Sequence, residues 1–142
     1  MELVTNFIHS ILPDVEVIYE ENEFWVDIEN EVINIGINPD PIGDKLIQEF
    51  VLNEFGVLMN PFLIGVLHEI YHIITYDEEI SKEDKKFYAL LSINYNPMRV
   101  REYSMIYFNL CSEYRATEGA VNYYLTHKEY CDEFLRSLNY EA

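Results

Sequence analysis

Apolar residues recur along the chain at two spacings, and the switches between them mark the elements. Leu3, Val4, Phe7, Ile8, Ile11 and Leu12 stand at helical spacing, which predicts a helix over about 2–12 that Pro13 ends. Three short runs rich in β-branched and aromatic residues follow, at 15–19, 24–28 and 32–37. The polar clusters between them, Glu20–Glu23 and Glu29–Glu31, have hairpin length, so the runs predict a small three-stranded antiparallel meander. Gly36 weakens its last strand, and Pro39 and Pro41 close it. Helical spacing returns at Ile47, Phe50, Val51 and Phe55, giving a helix from about 44 to 55 with Gly56 as its stop.

Asn60-Pro61 then reads as an N-cap followed by proline at the first helical position. The helix it opens carries Phe62, Leu63, Val66, Leu67, Ile70, Ile73 and Ile74, apolar on nearly every face, and is therefore expected at the centre of the molecule. Residues 76–79 break the pattern, and Ser81-Lys82-Glu83-Asp84 looks like a capped start for a helix to about Asn94, with Phe87, Leu90 and Leu91 turned inward. After Asn96-Pro97, one long helix is predicted from about 98 to 125, keeping Tyr103, Ile106, Tyr107, Leu110, Tyr114, Val121, Tyr124 and Leu125 in register. A short helix covers about 128–138. The sum is a single α+β domain, a small antiparallel sheet packed on a helical bundle.

Within the apolar central helix stands His68-Glu69-Ile70-Tyr71-His72, the pattern H-E-x-x-H. Residues four apart share a helix face, so the two histidines can hold one metal ion, and Glu69 can reach a water beside it. Leaving these polar groups unpaired inside such a helix would cost several kcal/mol. A ligated metal removes that cost. His9 reads as a surface or packing residue, and His127 as a residue at a helix C-terminus.

Charge and composition narrow the partners. The formal net charge is −17, which disfavours nucleic acid, because phosphate binding needs clustered Lys and Arg. The acidic excess reads as a solvated surface. Cys111 and Cys131 form no CxxC pair and read as buried small hydrophobes of a reducing compartment. No run is long enough to span a bilayer, and the expectation is a cytoplasmic protein without a membrane partner.

A catalytic zinc needs three protein ligands and an open fourth position. Downstream of the histidine pair the candidates are Asp77 or Glu78, Glu113, Glu118 and His127. With Leu110 at the centre of the long helix's apolar face, Glu113 falls about 60° to one side, inside the arc marked by Ile106 and Tyr107. Glu118 falls about 80° to the other side, at the margin. Glu113 ranks first.

The run Glu113-Tyr114-Arg115-Ala116-Thr117 resembles the ExxA element that carries the zinc-binding glutamate in gluzincin-type metallopeptidases. A metzincin pattern would need glycine at 75 and histidine at 78, where this chain has Thr75 and Glu78. Helix, three strands, HExxH helix and Glu-bearing helix together resemble the core of small single-domain gluzincins and of ImmA/IrrE-type peptidases, over about 15–125. The resemblance implies a zincin-like fold and zinc-dependent hydrolysis of a protein or peptide substrate. It also implies that His68, His72 and Glu113 bind the metal and that Glu69 is the general base. The small Ala116, Gly119 and Ala120 would let the two helices approach closely. The other class open to such a chain is a catalytically silent metal-binding or interaction module on the same fold.

Overall fold

The computed structural model describes residues 1–140. Its elements are α1 (Glu2–His9), β1 (Glu16–Ile18), β2 (Trp25–Asp27), β3 (Val32–Asn34), α2 (Pro41–Phe55), α3 (Pro61–Ile74) and α4 (Glu78–Ile93). A 3-10 turn at Pro97–Arg99 leads into α5 (Val100–Phe108), α6 (Cys111–Thr126) and α7 (Lys128–Ser137). The fold is α+β and mostly helical, with one small sheet among the described residues.

That sheet is mixed, not the antiparallel meander expected from the loop lengths. Its strand order is β1-β3-β2, with β1 parallel to β3 and β2 antiparallel to it. Asn34 is the cause. It ends β3 fully buried, and its side-chain oxygen accepts from the backbone N–H of Glu20 and of Glu21 at 3.0 and 3.1 Å. Its amide donates to the carbonyls of Glu21 and Glu23. Residues 20–23 are thereby drawn over the end of β3 instead of turning back beside β1, and β2 is delivered to the far side of β3. The hairpin from β2 to β3 forms as expected, with Asp27 accepting from the Asn30 N–H and Glu31 at φ 53°.

The helix starts follow local capping. Asp40 accepts from the Gly43 N–H and sets Pro41 at the first position, so α2 begins a few residues before the apolar periodicity does. Gly56 closes α2 in the left-handed region at φ 70°. Asn60 caps α3 through the N–H groups of Phe62 and Leu63. α4 starts at Glu78 rather than Ser81, because Asp77 accepts from the Ile80 N–H.

Two further expectations fail. Phe87 and Leu90 are 58% and 59% exposed, because α4 docks through the face that carries Asp84, its one buried residue. The single long helix is in fact α5 and α6. Asn109 donates its side-chain amide to the Met105 carbonyl, while the Asn109 and Leu110 N–H groups bond three residues back, closing α5. Leu110 is extended at ψ 140°, and α6 starts afresh.

α3 is central as expected, with Leu63, Ile64, Val66, Leu67 and Ile70 buried. Its main partner is α6. Ala116 and Ala120 are fully buried there, and a Cβ on Gly119 would lie 2.3 Å from the Tyr71 ring. The helices meet at a distance that only small residues permit. Phe24, at the entry to β2, lies so close to Gly65 that a Cβ there would be 2.7 Å from its ring, which seats β2 beside α3. α1 packs on α7 through stacked Phe7 and Phe134, 4.1 Å apart. Cys131 is buried in this core but Cys111 is exposed, so only one of the two cysteines is a core residue.

Candidate metal centre

α3 presents His68 and His72 one turn apart, and the first turn of α6 presents Glu113 opposite them. His68 Nε2 stands 3.2 Å from Glu113 Oε1, and His72 Nε2 stands 2.9 Å from Oε2. One ligand atom from each residue lies within 4.8 Å of the others, a spacing that could hold a metal ion. The three side chains are largely buried, at 14%, 13% and 12% exposure.

Thr117, one turn beyond Glu113, decides which way His68 points its lone pair. Its hydroxyl donates to the Glu113 carbonyl at 3.0 Å, so the same oxygen must accept from His68 Nδ1–H, also at 3.0 Å. With the proton on Nδ1, neutral His68 turns a bare Nε2 towards a carboxylate oxygen. Two acceptors at that distance repel each other unless a positive charge, a proton or a metal ion, lies between them. Two imidazoles and one carboxylate suit zinc and other borderline divalent metals, and the hydroxyl behind His68 is the kind of outer contact that orients a ligating histidine.

The electrostatics agree. Burial alone would raise the pKa of Glu113, but hydrogen bonds and charge from His68 and His72 outweigh it and hold the carboxyl well below its usual range. Burial would lower the pKa of His72, yet Glu113, then Glu69 and Asp84, reverse the sign and raise it. Glu69 is 8% exposed, and its pKa is raised by burial, opposed by the histidines and reinforced by Glu113.

Glu69, His72 and Glu113 line a cavity of about 310 Å³. Its walls include Phe24, Trp25 and Val26 from the β2 side, Ile80 from α4, and Tyr107 from α5. Burial, followed by the charge of Glu113, raises the Tyr107 pKa above the usual tyrosine value and keeps its O–H protonated. β2 is an outer strand of the sheet, so its edge away from β3 has no strand partner among the described residues.

The remaining candidates are elsewhere. Asp77 lines the cavity but its carboxylate caps α4, and Glu78 is exposed beside Lys82. Glu118 is exposed on α6. His127 stacks on Tyr123 at the junction of α6 and α7, and His9 pairs with the Val15 carbonyl through Nε2. Three residues near the group were not singled out as site residues from sequence: Tyr107, Asp84 and Thr117. Thr117 was within reach, being four residues after Glu113 on one helix face. Tyr107 was one of twelve tyrosines, on a helix whose register with Glu113 is broken at Asn109. Comparison with protein-family models, curated proteins and solved structures gives no match to this chain.

Proposed function

We propose that the chain is a zinc-dependent metallopeptidase with a zincin-like fold, and that His68, His72 and Glu113 are its metal ligands. The observation that carries this reading is the convergence of the three ligand atoms beside a cavity that Glu69 lines together with His72 and Glu113. A zinc ion held there would lower the pKa of a bound water towards neutrality and polarise the scissile carbonyl. Glu69 takes the proton of the attacking water and passes it to the leaving amine. Its burial favours that role, because a raised carboxyl pKa brings base and acid forms closer to neutral pH. Tyr107, protonated and facing the cavity, is the candidate second donor to the developing oxyanion. An extended peptide can add to the unpaired edge of β2 by main-chain hydrogen bonds, which would carry its backbone past Glu69.

Replacing Glu69 by Gln should leave bound zinc unchanged and abolish hydrolysis of an unstructured protein substrate. Loss of zinc in that variant, or full activity, would remove Glu69 as the base. Metal content should collapse in Glu113→Ala and persist in Glu118→Ala. A wild-type chain that binds zinc but cleaves nothing would favour the silent-module alternative.

A further inference from the structure

We propose that Asp84 is a positioning residue for the metal ligands. Its carboxylate, delivered from α4, caps the start of α6 and so holds Glu113 against His68 and His72. The inference rests on the reading of those three residues as a metal centre.

Every helix start leaves backbone N–H groups without intrahelical partners. α6 begins behind Leu110, a residue with no side-chain acceptor, and no local side chain caps it. Asp84 fills that role from another helix. Its Oδ2 accepts from the Ser112 N–H at 2.6 Å, within the first turn of α6, where a negative charge also complements the helix dipole. Ser112 is the peptide neighbour of Glu113, so the bond fixes the backbone from which the glutamate ligand projects.

The choice of residue is informative. α4 leaves Phe87 and Leu90 more than half exposed while burying an aspartate at 8% exposure. Burying a carboxylate in place of an apolar residue is unfavourable unless the charge has a dedicated partner. One carboxylate of α4 thus caps α6 by a hydrogen bond. By contrast, Asp40 and Asp77 cap the helices they themselves precede.

Zinc titration of the full chain against a competing chelator, with the visible spectrum of the cobalt-loaded protein, tests the assignment. Asp84→Ala should weaken zinc binding about 10- to 100-fold and alter the cobalt spectrum. Asp84→Asn keeps an acceptor oxygen and should recover most of the affinity. Adding Leu110→Asp to the Asp84→Ala chain gives α6 a cap of its own and should do the same. Asp40→Ala, which removes a cap of similar chemistry from α2, should leave affinity and spectrum unchanged. Should Asp84→Ala not fold, Asp84→Ser, too short to reach Ser112, makes the same comparison. Wild-type affinity and spectrum in Asp84→Ala or Asp84→Ser, or an equal loss in Asp40→Ala, would overturn the positioning role. A wild-type chain that binds no zinc would instead overturn the metal-centre reading itself.

Discussion

At the scale of single residues, the Thr117 hydroxyl is the contact that orients the His68 ring. It has one proton to give, and the Glu113 carbonyl takes it, so His68 must place its own proton on Nδ1. Replacing Thr117 by Val keeps the shape and removes both bonds. Zinc affinity should fall about 10-fold or more with the fold retained, measured by chelator competition and circular dichroism. Unchanged affinity would show that the packing of α3 alone orients His68. The grouping of His68, His72 and Glu113 was legible because helical geometry ties residue spacing to direction, and Glu113 stood out as an acidic residue on an apolar arc. Asp84 was not legible. In sequence it belongs to a run that looks like a local helix start, and only the fold shows it capping a different helix.

At the scale of elements, the start of α3 was read correctly, while the starts of α2 and α4, the break after α5 and the strand order were not. The Asn60-Pro61 start of α3 depends on two bonds from one side chain and appears as expected. The break between α5 and α6 depends on Asn109 winning the Met105 carbonyl, which periodicity cannot register because the apolar pattern runs on across it. The strand order depends on Asn34 reaching a loop eleven to fourteen residues earlier, and no hairpin rule contains that contact. The α3–α6 contact makes a quantitative prediction. Gly119→Ala forces a methyl into the Tyr71 ring and should destabilise the protein by about 1–3 kcal/mol in denaturant titrations. A neutral or stabilising result would mean that the two helices can separate without loss.

At the scale of the whole molecule, the site couples stability to pH. Folding lowers the pKa of Glu113, so its contribution is present above the unfolded value near 4.5 and is lost as pH falls through the folded value. Folding raises the pKa of His72, so its contribution is present below the unfolded value near 6.5 and is lost as pH rises through the folded value. Both are present between those two values. Chelator-treated protein should therefore show its largest Tm advantage over Glu113→Gln in that weakly acidic window, and a smaller one on either side. An advantage that is flat from about pH 3 to about pH 9 would contradict the ion-pair description. A metal ion held by these residues would compete with the same protons, so metal affinity should weaken as the solution is acidified.

The crossing of residues 20–23 over β3 also sets an order of events in time. The β2–β3 hairpin closes through a short local loop, an event on the order of 1–10 μs. β1 can pair only after β3 exists and Asn34 has captured the crossing segment, and Glu113 must meet His68 across 45 residues of chain. Closing such long loops is entropically slower than closing a hairpin. In a refolding experiment the hairpin should therefore form first, and zinc capture should mark the arrival of the last contacts.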